Sequence, residues 1–342
     1  MKKGFSLLMV IVMVMLVFLA GCGGGSDPAT AEEPAGLEKM TVQMKWLPQA
    51  QFMGYYVAQA KGYYEEEGID IELLPGGSDI IPEQMVFNGV ADVGVTWVSS
   101  LLKYQEQGWD LKHVSQTFQN SGMLLVAKAE SGIQTPADLA GKDIGSWFGG
   151  NEYELLALLE TYGLDRNTDV NLVQQDFTMN QIIEDRIDVA SAMVYNELGL
   201  LVSEGFPLEE LTVIDFNDEG VAMMQDCMFV SQEWIEDNED LFVRFLRASL
   251  KGWADAVEDP EGAAQIVYDV DGSVSIDHQT YMAQEVAKLT IPEGFDPAMI
   301  GYTDMDAIQQ TADIAFRFGL LDEEASITES TFTNQYWEEA MK

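Results

Sequence analysis

A repeating alternation of strand-like and helix-like segments limits the folds open to this chain more than any other feature. Strands are predicted at 40–46, 69–74 and 92–96, with amphipathic helical stretches such as 53–67 between them. The alternation begins again at residue 143 and continues to residue 216. Strands separated by helices of this length indicate parallel sheets that are covered by helices. The sequence therefore predicts an α/β protein with two such blocks.

Two extended apolar segments, 123–128 and 227–231, mark the passages between the blocks. We expect the second block to be inserted into the first, with the helix-rich C-terminal region returning to the first. The alternative is two consecutive domains with a helical cap, but the C-terminal region has too few strands for a sheet of its own. The predicted boundaries are 39–126 and 227–342 for lobe 1 and 127–226 for lobe 2.

The N-terminus has the pattern of a secretory signal. A basic start precedes a short apolar run that ends in Leu-Ala-Gly-Cys at 19–22, whereas a membrane span needs about 20 apolar residues. This stretch is similar to the bacterial lipobox, so residues 1–21 are predicted to be a lipoprotein signal peptide and Cys22 the lipidated residue. The alternative is a plain secretory signal with an incidental cysteine. Residues 22–38 have the composition of a flexible tether.

The charge of the chain is strongly negative, with 58 acidic and 17 basic residues and a net charge of −41. Without the predicted signal peptide, which contains two of the lysines, 15 basic residues remain and the net charge becomes −43. Nucleic acid is therefore excluded as a partner, because its phosphates require a basic surface. The spread of the charge along the chain predicts a strongly solvated surface, for which a salt-rich habitat is one hypothesis.

Cysteine and histidine are too scarce for a disulfide framework or a metal centre. Cys227 is the only cysteine besides Cys22, so lipidation of Cys22 would leave it without a partner. Its apolar, strand-like surroundings predict a buried thiol, and a reactive thiol is the less favoured alternative. His113 and His278 have no metal-ligand neighbours in sequence. No P-loop or dinucleotide fingerprint occurs, so no cofactor is predicted.

Residues 45–73 concentrate aromatic rings in a chain that is only 10% aromatic overall. Trp46 ends the first predicted strand, and ligands of open α/β sheets lie beyond the carboxyl ends of strands. A ring in the core is the alternative, but polar residues follow Trp46 at once, which predicts a loop that faces a ligand. The predicted ligand-binding residues of this segment are Trp46, Gln51, Phe52 and Tyr55.

Three further strand ends carry polar and aromatic residues. Trp97 and Ser99 follow the third strand, where hydroxyls ordinarily cap helices but can also donate to a ligand. In "SWFGGNEYEL", residues 146–155, the acidic first turn suits a helix N-terminus. Its Glu152 also lies at a strand-to-helix turn facing the presumed cleft, and "YNE" at 195–197 repeats the arrangement. The ligand-binding residues predicted from these segments, and from the start of the return strand, are Trp97, Ser99, Trp147, Asn151, Glu152, Tyr195, Asn196, Glu197 and Asp226.

Four segments together resemble solute-binding proteins of ABC importers: "KWLPQAQFMGYYVAQAKGYYEEEGIDI", "GVADVGVTW", "ADLAGKDIGSWFGGNEYEL" and "MVYNE". The most similar group includes binders of the thiamine pyrimidine precursor and of riboflavin, and the likeness covers nearly the whole chain after residue 39. The resemblance implies a periplasmic-binding fold of the second type, with two α/β lobes joined by two crossing strands. It also implies that the loop after Trp46 lines the pocket.

A binding protein of this kind would be a monomer, tethered to the outer or periplasmic face of the cytoplasmic membrane, with an ABC permease and its ATPase as partners. The expected ligand is a small aromatic heterocycle with N–H donors, because the quoted loops offer aromatic rings and acids. We expect the ring to stack on Trp46 while Glu152 accepts hydrogen bonds, with Glu197 as the alternative acceptor. A sulfonate such as taurine is an alternative ligand, although anions need cationic or dipolar donors.

An enzyme is the alternative from another class, because the same superfamily contains the yeast-type pyrimidine synthase. The position where the synthase motif has its functional histidine is Phe52 in this chain, and no cysteine cluster is present. These departures from the synthase pattern favour a non-enzymatic binding protein. The sequence does not choose between the pyrimidine precursor and riboflavin, because ring size depends on the volume of the pocket.

Overall fold

Two five-stranded sheets organise the chain in a computed structural model, which describes residues 36–148 and 152–342. In the first sheet, β1 pairs in parallel with β2 and β3, and β10 is antiparallel to β3 and β4, which gives the order β2-β1-β3-β10-β4. The carboxyl ends of its three parallel strands therefore share one edge. The strands of this sheet are β1 (Glu38–Gln43), β2 (Ile69–Leu74), β3 (Val93–Thr96), β4 (Leu111–Gln116) and β10 (Cys227–Ser231).

The second sheet repeats this design with different connections. Its order is β7-β6-β8-β5-β9, in which β6 is parallel to β7 and β8, and β5 is antiparallel to β8 and β9. The carboxyl ends of β6, β7 and β8 again share one edge. The strands of this sheet are β5 (Met123–Lys128), β6 (Asp143–Ser146), β7 (Asn171–Gln174), β8 (Val189–Met193) and β9 (Leu211–Asp215).

The chain passes between the sheets twice, at residues 117–122 after β4 and at residues 216–226 before β10. The predicted mixed α/β class, with two crossings between its halves, is therefore confirmed. The predicted lobe boundary at residue 126 falls inside β5, and the boundary at residue 226 falls directly before β10. The division of the chain into lobes at these residues stays a prediction.

The helices are numbered here in chain order. Those that follow strands of the two sheets are α1 (Met53–Ala60), α2 (Tyr63–Glu66), α3 (Pro82–Phe87), α4 (Val98–Glu106), α5 (Tyr153–Thr161), α6 (Asn180–Ile183) and α7 (Glu197–Ser203). The C-terminal helices are α8 (Gln232–Glu258), α9 (Pro260–Val270), α10 (Ile276–Thr290), α11 (Met305–Arg317) and α12 (Gln335–Ala340).

Helices α1 and α8 pack against each other through a pair of glycines. A Cβ atom at Gly54 would lie 2.2 Å from the ring of Trp253, and one at Gly252 would lie 2.3 Å from the carbonyl oxygen of Gly54. No side chain fits at either position, so the two backbones approach closely and Trp253 is buried. Because α1 directly follows a 3-10 turn at Ala50–Phe52, this contact also fixes the turn that leads into the helix.

Several predicted elements have the observed bounds, one predicted helix is divided, and one strand was not predicted. The strands at 69–74, 123–128 and 227–231 are confirmed as β2, β5 and β10. The predicted helix at 53–67 is divided into α1 and α2, because Gly62 adopts a left-handed φ of 75° between them. Strand β4 was not predicted, since its sequence LKHVSQ is largely polar although every residue in it is buried.

Residues 1–35 and 149–151 lie outside the described residues. The predicted signal peptide, the predicted lipidation at Cys22, most of the predicted tether and the predicted ligand-binding residue Asn151 are among them. Within the described part of the chain, no helix is long and apolar enough to cross a membrane.

Candidate functional site

A cavity of about 650 Å³ is lined by residues that follow strands of both sheets. Its volume lies within the range of about 300–1,000 Å³ that small-molecule sites occupy. Trp46 and Trp97 follow β1 and β3 of the first sheet, and Trp147 and Tyr195 follow β6 and β8 of the second. All four strands belong to parallel pairs, so the cavity lies beyond their carboxyl ends, where ligands of open α/β sheets bind.

Aromatic rings line the cavity from the side of each sheet. The ring centroid of Phe177 lies 5.4 Å from that of Trp46 and 6.5 Å from that of Trp147. Phe177 is 60% exposed, so a large apolar face is open to solvent. The three rings together offer flat surfaces on which an aromatic ligand can stack.

Sequence reasoning missed Phe177. It follows β7, which is parallel to β6, so the rule that selected Trp147 from the end of β6 applies to it equally. The signal is present in the sequence, because Phe177 lies three residues beyond the end of β7. A ring that is both exposed and in contact with two cavity tryptophans is better explained by a ligand than by packing.

On the first-sheet side, a buried carboxylate orients two cavity residues. Gln51 Nε2 donates to Asp226 Oδ1 at 3.1 Å and to Oδ2 at 2.8 Å, and Trp97 Nε1 donates to Oδ1 at 3.0 Å. Asp226 is 1% exposed, and burial raises its pKa to about 6, although Gln51, Lys45 and Trp97 each act to lower it. Asp226 does not line the cavity, so it acts as a support beneath Gln51 and Trp97.

Lys45 is the one cation among the described residues that line the cavity. Its Nζ lies 4.9 Å from the centroid of the Trp97 ring, a cation–π contact, and it forms no ion pair with any carboxylate of the described residues. Sequence reasoning overlooked Lys45, because it concentrated on acids and aromatic rings. The cavity therefore contains one positive group that can meet a carbonyl or an anionic group of a ligand.

On the second-sheet side, the carboxylate of Glu197 lines the cavity itself. Its Oε2 accepts from the backbone N–H of Met193 at 2.9 Å, and its Oε1 accepts from Asn196 Nδ2 at 2.8 Å. Glu197 is 5% exposed, and burial raises its pKa to about 7 against the lowering effect of these donors. A carboxylate has about four lone-pair sites, so each oxygen can still accept a hydrogen bond from a ligand.

A second buried acid, Glu83, also lines the cavity on the first-sheet side. Thr96 Oγ1 donates to Glu83 Oε1 at 2.6 Å, and Glu83 is 1% exposed. The described lining therefore has acceptors on both sides and a single cation, which suits a ligand with several N–H or O–H donors better than a small anion.

The structure brings about half of the predicted ligand-binding residues to the cavity. Phe52 and Tyr55 do not reach it, because the 3-10 turn and α1 direct them into the core, where they are 1% and 0% exposed. The Tyr55 ring packs edge-on against Trp253 with 5.5 Å between centroids. The predicted residues that line the cavity are Trp46, Gln51, Trp97, Trp147, Tyr195, Asn196 and Glu197.

Two further predicted residues, Ser99 and Glu152, do not line the cavity. Ser99 is buried in the first turn of α4, and its neighbour Ser100 lines the cavity instead, because successive helical residues point in different directions. Glu152 directly precedes α5, is half-buried and is not part of the lining. The next acid, Glu154, points away from the cavity and accepts from the backbone N–H of Met223 at 2.7 Å.

Within the described residues, no group of three or more His, Cys, Asp and Glu side chains is arranged to hold a metal ion. His113 is fully buried, and burial lowers its pKa to about 4. Cys227 is buried in β10, where burial raises the pKa of its thiol well above the usual value. A thiol of this kind is inert at neutral pH.

The chain is similar to a known protein family and to characterised proteins. A sequence model described as NMT1/THI5 like matches residues 49–263. Riboflavin-binding protein RibY of Chloroflexus aurantiacus is 29% identical over 345 residues, covering 95% of each chain. Formylaminopyrimidine-binding protein of Halalkalibacterium halodurans is 26% identical over 271 residues, covering 78% of each chain. A pyrimidine phosphate synthase of Saccharomyces cerevisiae matches at a lower identity of 24%.

Solved structures share the fold. The periplasmic aliphatic sulphonate binding protein SsuA of Escherichia coli superposes with a TM-score of 0.67 at 16% identity, covering 87% of this chain and 91% of that one. The family match covers more than half of the chain, and the two-sheet topology agrees with the structural likeness. This protein therefore belongs to the NMT1/THI5-like family and has the α/β fold of periplasmic binding proteins.

Proposed function

We propose that this protein is the substrate-binding component of an ABC importer and captures a small aromatic heterocycle. The observation that carries the proposal is the cavity of about 650 Å³, with Trp46, Trp147 and Phe177 around it and Glu197 as a buried acceptor. The two relatives whose names state a ligand bind riboflavin and formylaminopyrimidine, and both ligands are flat heterocycles with N–H donors.

Recognition of such a ring would use both sides of the cavity. Stacking on an aromatic side chain contributes roughly 1–3 kcal/mol per base-like ring. A hydrogen bond to a charged acceptor such as Glu197 contributes about 1.5–3 kcal/mol. Because Trp46 follows a strand of the first sheet and Glu197 follows a strand of the second, a ligand that contacts both would hold the two sides at one spacing. This coupling would favour a closed form that the permease can distinguish from the empty one.

A sulfonate is the second candidate ligand, and Lys45 is the observation that favours it. An anion could place its charge near Lys45, the only cation of the described cavity lining. The same cavity contains Glu83 and Glu197, whose negative charges oppose an anion. The similarity to SsuA supports the fold alone at 16% identity. The balance of charges therefore favours the heterocycle.

An enzymatic role in pyrimidine synthesis is the third candidate. The position of the synthase's functional histidine is Phe52, which is buried and does not line the cavity. The purified protein incubated with histidine and pyridoxal phosphate should form no pyrimidine, as judged by mass spectrometry. Formation of a pyrimidine would contradict a purely binding role.

A thermal-shift panel tests the proposed function. The ligands would be riboflavin, a formylaminopyrimidine and taurine. Each would be added to the protein from residue 23 onward, without the predicted signal peptide and Cys22. A ligand present at 100 times its Kd stabilises the folded state by about 2.7 kcal/mol. We expect a shift with one of the two heterocycles and none with taurine, confirmed by calorimetry. A shift with taurine alone would contradict the proposal.

We also propose that the protein is a monomer held at the outer face of the cytoplasmic membrane by a lipid on Cys22. The proposal rests on the sequence Leu-Ala-Gly-Cys at 19–22 and on the tether that follows it. Cys22→Ser should move the protein from the membrane fraction to the soluble fraction on cell fractionation. Equal membrane retention of the two forms would contradict lipid anchoring.

A further inference from the structure

Helix α10 contacts the second-sheet side of the cavity through a histidine. His278, in the first turn of α10, is half-buried, and its Nε2 lies 2.8 Å from Asn196 Oδ1. Asn196 lines the cavity directly beside Glu197. A side chain outside the cavity is therefore one hydrogen bond away from a residue inside it.

The chemistry of the partners fixes the direction of each hydrogen bond. Above its pKa, Glu197 is ionised and can only accept, so the atom of Asn196 that lies 2.8 Å from Glu197 Oε1 is the donating Nδ2. The other amide atom, Oδ1, must then accept from His278, which requires a proton on Nε2. The three side chains thus form a directed series in which His278 donates to Asn196 and Asn196 donates to Glu197.

This series determines how Glu197 faces the cavity. One oxygen of Glu197 is held by the Met193 backbone N–H and the other by Asn196. The Met193 contact is fixed by strand β8, whereas the Asn196 contact depends on the rotamer of a side chain. Without His278, the Asn196 amide would be free to turn and to withdraw its donor from Glu197.

Helix α10 is itself held firmly at this position. Gln279 Oε1 accepts from the backbone N–H of Ala50 at 2.8 Å, in the turn that carries Gln51 into the first-sheet side of the cavity. The Tyr281 hydroxyl donates to the backbone carbonyl of Val194 at 2.9 Å. Neighbouring residues of one helix therefore contact both sides of the cavity, and His278 has little freedom to move.

We propose that His278 is a positioning residue that acts through Asn196 to orient the carboxylate of Glu197 for N–H donors of the ligand. This inference rests on the proposed function, since it assigns a role to a residue behind the binding carboxylate. His278 does not line the cavity and is not expected to touch the ligand. The class of ligand it serves is a heterocycle that presents an amino or imide N–H to Glu197.

A ligand-free measurement tests the series independently of the proposed function. The pKa of Glu197 would be followed by NMR of ¹³C-labelled glutamate carboxyls, assigned with Glu197→Gln. His278→Leu removes the donor and should raise this pKa, because the charged carboxylate loses the orientation of Asn196. His278→Gln, whose amide can replace Nε2–H, should restore the parental value. An unchanged pKa in His278→Leu would overturn the inference.

Tyr281→Phe is the matched control, because the lost hydrogen bond joins the same helix to the same loop through the Val194 carbonyl and not through Asn196 or Glu197. We expect it to leave the pKa of Glu197 unchanged. An equal rise in Tyr281→Phe and His278→Leu would show that docking of α10, and not the series, is responsible. That result would also overturn the inference.

The ligand arm uses riboflavin and its N3-methyl derivative, which lacks the imide N–H. Calorimetry should show that His278→Leu weakens riboflavin binding about three- to tenfold, the size expected for one hydrogen bond, and weakens the methylated probe less. An equal loss for both probes would overturn the inference. If the parent protein binds neither probe, the flavin form of the proposed function fails, and the NMR result alone decides the role of His278.

Discussion

The two sides of the cavity each contain a buried carboxylate, and the two carboxylates are used differently. Asp226 lies beneath the first-sheet side and receives three hydrogen bonds from the side chains of Gln51 and Trp97. Glu197 lines the second-sheet side and receives one backbone and one side-chain hydrogen bond. Burial raises the pKa of both acids, to about 6 for Asp226 and about 7 for Glu197.

The difference between Asp226 and Glu197 shows that a buried carboxylate can either stabilise the site or be available to a ligand. The hydrogen bonds of Asp226 fix two cavity residues, so its removal would change the shape of the site. Glu197 keeps lone pairs on the cavity side, and no cation contributes to its pKa, so a donor from a ligand is the partner it lacks. We therefore expect Glu197, a buried acceptor that lines the cavity, to contact the ligand.

The largest expected effect separates these roles by stability. Asp226→Ala leaves Gln51 Nε2 and Trp97 Nε1 without their acceptor and should lower the free energy of unfolding by about 2–4 kcal/mol. Glu197→Gln keeps an acceptor for Met193 and should cost less. Urea unfolding of both variants measures the comparison. An equal loss of stability in the two variants would show that the two carboxylates have the same structural role.

A somewhat smaller effect is expected from the aromatic rings. Trp46→Ala should weaken the binding of every flat ligand alike by roughly 1–3 kcal/mol, because it removes a stacking surface without touching the acceptor. Phe316→Ala is the control, since this ring is 37% exposed but does not line the cavity. Calorimetry with whichever heterocycle shifts the melting temperature gives the measurement. Unchanged affinity in Trp46→Ala would show that this ring does not contribute to ligand binding.

Aromatic residues at the ends of strands were easier to predict from the sequence than aromatic residues in a turn or a helix. Trp46, Trp97 and Trp147 line the cavity, and each was predicted as a ligand-binding residue because it lies at or just after the end of a predicted strand. Phe52 and Tyr55 were predicted to contact the ligand, but both side chains are buried in the core, and Tyr55 packs against Trp253, a residue far away in the sequence. Such long-range contacts are not visible in a local pattern.

Acids were harder to assign than rings. Glu152 precedes the helix that follows β6 and Glu197 begins the helix that follows β8, and only the three-dimensional arrangement shows that Glu197 lines the cavity. The supporting role of Asp226 was likewise hidden, because its partners come from residues 51 and 97. The fold was predictable because it depends on the order of the strands, whereas the site depends on contacts between distant segments.

The pH dependence of stability provides a third comparison. Burial places the pKa of Glu197 at about 7 in the folded state, above its unfolded value near 4.5, so the folded state holds the proton longer. The stability contributed by the protonated form is full below pH 4.5 and is lost as the pH rises through 7, with a slope of at most about 1.4 kcal/mol per pH unit. Glu197→Gln should lack this loss between pH 6 and 7. Parallel stability curves for parent and variant would contradict the raised pKa.

Salt should have the smallest effect on the comparison. With a net charge of −41, repulsion between exposed acids should lower the melting temperature in dilute buffer, and screening should raise it. Buried groups are screened much less, so the stability difference between parent and Glu197→Gln should hardly change with salt. A melting temperature that stays flat from dilute buffer to molar salt would show that surface repulsion does not limit stability.

The most direct test of the account is the affinity of two matched variants, Glu197→Gln and Glu152→Gln, for the heterocycle that the thermal-shift panel identifies. Both substitutions keep the shape of the side chain and remove one negative charge, but only Glu197 lines the cavity. Loss of a charged acceptor of about 1.5–3 kcal/mol corresponds to roughly 10- to 150-fold weaker binding. Calorimetry should show this loss for Glu197→Gln and parental affinity for Glu152→Gln. Parental affinity in Glu197→Gln, with a loss in Glu152→Gln, would contradict the claim that Glu197 is the acceptor for the ligand.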